Sequence, residues 1–130
     1  MPITRIATNA PWEPIVGYAR VVRAGNIVHV SGTTATGDDS ELVGAGDMYA
    51  QAVQTLKNIE AALHGAGARL EDVVRTRIYV TDIDQWESVA RAHREAFGAH
   101  PPATAMVEVS RLVSPEMLVE IEAEAVIEDR

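Results

Sequence analysis

Residues 118–127, Leu-Val-Glu-Ile-Glu-Ala-Glu-Ala-Val-Ile, alternate apolar and acidic side chains almost without a break. Successive side chains of a strand point to opposite faces, so Val119, Ile121, Ala123, Ala125 and Ile127 share one face. Glu120, Glu122, Glu124 and Val126 share the other. The stretch reads as a strand of a sheet that lays one face on a core and turns an acidic face away from it.

Whatever covers the oily face must come from upstream. Residues 73–81 alternate as well, with Val74, Thr76, Ile78 and Val80 on one face and Val73, Arg75, Arg77 and Tyr79 on the other. Pro101-Pro102 forbid a continuing helix and force an extended lead-in to the strand that runs through Thr104 to Val109. Nearer the start, two β-branched runs at 18–24 and 27–31 flank Gly25-Asn26, residues that tolerate the positive φ angles of a tight hairpin turn. Two helices complete the set. Between Asp47 and His64, the apolar residues Met48, Ala52, Leu56, Ile59 and Leu63 fall on one helical face, and Gly65 and Gly67 end it. Asp84 and Glu87 have capping-box spacing and open a second helix with Trp86, Val89, Ala90, His93 and Phe97 on one side, closed by Gly98. Residues 33–46, rich in Gly, Asp, Ser and Thr, form a long loop.

The order hairpin, helix, strand, helix, strand, strand predicts one α+β domain over residues 1–130, a mixed sheet with two helices packed on one face. The second sheet face is harder to place. Val73, Arg75, Arg77, Tyr79 and several glutamates make it too apolar for free solvent and too charged for a private core. Burial against sister subunits reconciles the two properties.

Composition narrows the function. The 130 residues are 47% hydrophobic and 23% charged, a balance that supports a folded core. A net charge of −8 repels phosphate backbones and anionic lipid, so neither nucleic acid nor a membrane is an expected partner. No cysteine is present, which removes disulfides, thiolate metal sites and cysteine nucleophiles. With no signal-peptide pattern and no apolar run of spanning length, a cytoplasmic location is expected.

Few residues stand out chemically. His29, His64, His93 and His100 lack metal-ligand spacing, so no metal is expected, and His93 on an apolar stripe reads as a partly buried structural histidine. Ser31-Gly32-Thr33-Thr34 lacks the spacing of a phosphate-binding loop, and no Gly-x-Ser-x-Gly elbow occurs. Glu108, Glu120, Glu122 and Glu124 fall on two strands consecutive in sequence. One of them, desolvated in a subunit cleft, would have a raised pKa suited to proton transfer, or all could pair across strands with Arg75, Arg77 or Arg111.

Taken together, Gly17-Tyr18, Gly25-Asn26, Val30-Ser31-Gly32, the run from Arg77 to Asp82, the run from Pro102 to Val109 and Val119 to Ala123 resemble the YjgF/RidA (Rid) family in order and spacing. The resemblance implies a chorismate-mutase-like α+β fold assembled as a homotrimer, with a small-molecule ligand in each cleft at a subunit boundary. It also implies hydrolysis of reactive imines or enamines to carbonyl compounds and ammonia, without metal or organic cofactor. Tyr18 and Gly32 match the family's substrate-binding positions, and Glu120 matches the glutamate that holds or activates the attacking water. Thr104 stands where active relatives carry the arginine that clamps a substrate carboxylate, and Val89-Ala90 replaces a frequent Val-Asn. Threonine donates one hydrogen bond but neutralises nothing, and losing a charge-assisted bond costs roughly 1.5–3 kcal/mol. Arg20, Arg91 and His93 are the candidates to supply the missing positive charge. The expected activity is therefore a deaminase of small imines, enamines or related carbonyl compounds, the alternative being a non-catalytic trimer that binds a metabolite or a protein.

Overall fold

The acidic–apolar stretch becomes the centre of the sheet. In the computed structural model, which describes residues 2–128, it forms strand β6 (Val119–Val126) between β3 (Ile27–Thr33) and β4 (Val73–Val80). The expected alternation holds, since Val119, Ile121, Ala123 and Ala125 are buried while the three glutamates are half-exposed on the other face. Outward from this centre, β3 pairs with β2 (Val21–Ala24) across the Gly25-Asn26 turn, and β2 pairs with β1 (Ile3–Ile6). On the opposite side β4 carries β5 (Ala103–Glu108) at the sheet edge. β4 and β5 run parallel, because the helix between them makes the crossover that parallel strands need, and the other pairings are antiparallel.

Two of the helices supply the second layer. Helix α1 (Trp12–Val16) is a single short turn before Gly17; α2 (Met48–Gly65) and α3 (Trp86–Phe97) cover the apolar sheet face. All five apolar residues of the predicted α2 stripe are buried, and Ile59 and Leu63 have no exposed surface. Asp47 starts the helix as expected of a cap, its carboxylate accepting from the Ala50 N–H at 3.0 Å. The chain reversal after α2 belongs to Gly67, whose φ of 86° suits glycine, whereas Gly65 is the last helical residue.

Three local expectations are corrected. A register shift between Val73 and Arg75 opposite β6 turns Val73 into the core and leaves Val74 half-exposed, reversing their alternation. An extra residue in one strand of a pair does this, because it advances the side-chain phase by one. The cap near α3 is Asp82 rather than Asp84: its carboxylate accepts from the Asp84 N–H at 3.1 Å and starts a 3-10 turn at Ile83–Gln85 that runs into the helix. On α3 itself Val89, Ala92 and Phe97 are buried but Trp86 is half-exposed, since burial of Ala92 rotates the covered stripe away from Trp86. β1 and α1 were not visible in the sequence, being four and five residues long with little periodicity.

No helix among the described residues is long and apolar enough to cross a membrane. The packing under α2 sets the stability. Ile59→Ala is expected to lower the unfolding free energy by about 2–5 kcal/mol in a urea titration, and Asp47→Ala by about 1 kcal/mol.

Candidate functional site

Three of the four predicted site residues come together. Tyr18 follows Gly17, which ends α1 with a φ of 90°; Gly32 lies where β3 shifts register between Val30 and Thr33; Glu120 projects from the acidic face of β6. All three line a cleft of about 750 Å³, walled by Trp12 and Val16 of α1, by α2, and by Val113 and Met117 from the segment before β6. A shallower hollow of about 300 Å³ shares Gly32, Glu120 and Glu122 and adds Tyr79 and Arg111.

The Glu120 carboxylate lies flat against Gly32. A Cβ at Gly32 would stand 2.5 Å from Glu120 Oε2, so any other residue there would displace the acid. Among the described residues nothing donates a hydrogen bond to that carboxylate. Burial raises its pKa above the ordinary carboxylate range, and the Glu122 charge raises it further, with Arg20 pulling the other way. Its neighbours on the strand are spoken for: the Tyr79 hydroxyl donates to Glu122 Oε1, and Arg77 Nη1 donates to Glu124 Oε1 at 2.7 Å. Cross-strand pairing thus explains Glu124 and leaves Glu120 free. Glu108 is removed from the group altogether. It sits on the helix-side face of β5, beyond β4, and accepts from the Ile83 N–H at 3.1 Å.

Arg20 is the residue whose part in the cleft was least legible. Its Nη1 donates to the Gly32 carbonyl at 2.8 Å and to Thr33 Oγ1 at 3.2 Å, and Nη2 donates to the Tyr18 hydroxyl at 3.2 Å. Glu13 Oε2 lies 3.7 Å from Nη2; the Glu13 carboxylate is buried and also accepts from the N–H and hydroxyl of Thr8. The guanidinium therefore fixes Tyr18 against Gly32. A Glu and an Arg seven residues apart around Gly17 were the available signal. Arg91 is elsewhere, its guanidinium 3.7 Å from the Tyr49 ring on the surface where α2 meets α3.

Thr104 does not join the other three. It projects from the helix-side face of the edge strand β5, opposite Thr76 of β4, while Glu120 faces away from the helices opposite Tyr79. There the fully buried Thr76 hydroxyl donates to Thr104 Oγ1 at 2.6 Å, and His93 Nε2 lies 2.9 Å from the same Thr76 oxygen. His93 is half-buried, as expected, and burial lowers its pKa.

Two amides of α2 hold the long loop in place. Asn58 donates to the carbonyls of Thr34 and Thr36 at 2.9 and 2.7 Å. Gln51, fully buried, donates to the carbonyls of Gly44 and Glu116 and accepts from the Leu118 N–H at 2.9 Å. Both ends of the loop are thereby tied to the wall of the cleft. Polar residues at 51 and 58, seven apart beside an apolar stripe, were the sequence signal. Among the described residues no cluster of His, Asp and Glu is placed to hold a metal ion.

Comparison with known proteins places this geometry. The model of the endoribonuclease L-PSP family matches residues 7–127. A YjgF/YER057c/UK114-family protein of Mycobacterium tuberculosis has the same fold with a TM-score of 0.88 at 48% identity, covering 97% of this chain and 100% of that one. The YjgF gene product of E. coli superposes with a TM-score of 0.84 at 35% identity, over 96% and 99% of the two chains. The 3-aminoacrylate deaminase RutC of Acinetobacter baylyi is 32% identical over 121 residues, 93% of this chain and 95% of that protein.

The raised Glu120 pKa has a sign for stability. A carboxyl that holds its proton more tightly folded than unfolded makes stability fall as pH rises from the ordinary value, about 4.3, through the folded pKa. Glu120→Gln removes that loss, so the variant should melt above the wild type at neutral pH and the gap should close towards pH about 4. Thermal scans over that range check it.

Proposed function

The chain belongs to the endoribonuclease L-PSP family, which includes the YjgF and RutC proteins, and on that premise we propose that it is a cofactor-independent hydrolase of small reactive imines, enamines or related carbonyl compounds. The observation that carries the reading is the Glu120 carboxylate, half-buried in a cleft, without a hydrogen-bond donor and with a raised pKa. A carboxyl whose pKa is raised this way is a stronger base than an ordinary carboxylate, which suits it to take and return a proton as a general acid–base.

The reaction follows from that one group. Glu120 takes a proton from a water as its oxygen bonds to the imine carbon, and the C=N π pair moves to nitrogen. The same carboxyl returns the proton to the nitrogen to give the carbinolamine. The carboxylate then takes the carbinol O–H proton and passes it to the nitrogen as the C–N bond breaks, the C=O bond forms and ammonia leaves. An enamine needs one earlier step, protonation of its β-carbon by the acid form. Tyr18, fixed by Arg20, and the backbone at Gly32 would position the substrate.

The cleft is proposed to lie between subunits of a homotrimer, because Thr104 occupies a free sheet edge on the face away from Glu120. A neighbouring copy's edge could bring its own Thr104 to this cleft, covering an edge strand that carries the half-exposed Val107. A cytoplasmic, single-domain protein is consistent with this role. RNA cleavage, which the family's description names, has weak support here: the chain's net charge is −8 and the cleft lining holds Asp38, Glu120 and Glu122 against Arg20.

Imine formed in situ from a primary amine by an amine oxidase should lose its lag in ammonia release when wild-type protein is added. Glu120→Gln should reduce that rate by about 100-fold or more. kcat/KM should rise with pH through the raised Glu120 pKa, where the base form appears. Rates equal to buffer, with saturable ligand binding unchanged by Glu120→Gln, would establish the non-catalytic binding module instead. Light scattering should give three times the chain mass.

A further inference from the structure

The position where the resemblance puts a carboxylate-clamping arginine is filled by a built hydrogen-bond chain. Thr76 has one hydroxyl proton and donates it to Thr104 Oγ1 at 2.6 Å. His93 Nε2, 2.9 Å from the Thr76 oxygen, must then be the donor of that contact, which fixes the Nε2–H tautomer in the neutral ring. Thr104 already accepts, so its own proton is left for a partner outside the chain. Each bond polarises the next in the same direction, and the terminal hydroxyl is presented as a donor. The element is rigid, because Thr76 is fully buried and the His93 ring packs on Phe97 with centroids 4.7 Å apart.

None of the three candidate cations makes good the missing charge. Arg20 spends its N–H groups on Gly32, Thr33 and Tyr18 beside Glu13; Arg91 stacks on Tyr49; His93 lies behind Thr76. The lining of the large cleft carries three carboxylates against that one arginine. An incoming carboxylate would meet a lining of net negative charge and, at position 104, a neutral donor in place of a cation.

We propose that Thr104, oriented by Thr76 and His93, is a specificity determinant that selects ligands bearing an uncharged acceptor, such as an amide, ester or aldehyde oxygen, and rejects those bearing a carboxylate. This rests on the intersubunit cleft proposed above, since only there would Thr104 share a ligand with Tyr18, Gly32 and Glu120. Thr104 would touch the ligand; Thr76 and His93 are positioning residues. The substrate class narrows accordingly to imines and enamines of uncharged carbonyl compounds.

Calorimetric titration of the wild-type protein with pyruvamide and with pyruvate isolates the charge at one position of a common skeleton. Pyruvamide should bind about tenfold or more tightly than pyruvate. Thr104→Val should weaken pyruvamide by about fivefold without strengthening pyruvate, and Thr104→Arg should invert the preference. His93→Leu should weaken pyruvamide selectively, while His93→Gln, whose amide can donate to Thr76, should restore it. Equal affinities, tighter pyruvate, no saturable binding of either probe, or a preference untouched by Thr104→Val each overturns the proposal. These are binding measurements on product-like compounds, so their failure is distinct from a failure of imine turnover.

Discussion

The alternation along β6 is the constraint on which the rest depends. A central strand that buries four apolar residues beneath α2 has no choice about its intervening positions, because the side-chain period of a strand is two. Glu120, Glu122 and Glu124 must project from the other face, each about two residues from a like charge. The fold then has to place groups near them, and β4 supplies Arg77 and Tyr79, which stand opposite Glu122 and Glu120 but reach diagonally along the ladder to Glu124 and Glu122. Glu120 reaches back from Tyr79 to lay its carboxylate against Gly32, a residue with no side chain, and there stays half-buried without a hydrogen-bond donor among the described residues.

That asymmetry makes a site out of a charge ladder. Three acids of identical type on one strand are separated by their environments: an ion pair for Glu124, a phenol donor for Glu122, and desolvation for Glu120. Desolvation that is left uncompensated costs stability, and such costs collect where chemistry is done. The surrounding structure is correspondingly firm. Glu13 and Arg20 lock the α1 turn against Gly32, and Gln51 and Asn58 tie the long loop to α2, so the cleft has fixed walls.

The helix-side edge of the sheet is organised by a different principle. There the Thr76 hydroxyl, which would be costly to bury alone, is satisfied by His93 on one side and Thr104 on the other. The same contacts that make Thr76 tolerable in the core give Thr104 its direction. A chain of neutral groups there differs in kind from a guanidinium, and the acidic lining of the large cleft points to the same class of uncharged ligand.

Much of this was legible in the sequence. The helical stripe from Met48 to Leu63, the Gly25-Asn26 hairpin and the alternation at 118–127 each follow from local periodicity, and the family resemblance points to the trio Tyr18, Gly32 and Glu120 that the cleft gathers. The sequence misled where a single residue shifts phase, as at Val73 and Val74, and was silent where elements are too short for a pattern, as in β1 and α1. It could not tell which glutamate lacks a partner, where the Arg20 guanidinium spends its donors, or that His93 reaches Thr104 through Thr76. Periodicity determines which face of an element a residue occupies, and that is a property of neighbours in the chain. Partnership depends on which faces meet, and residues 13, 20 and 32, or 76, 93 and 104, meet only after the sheet and helices have packed.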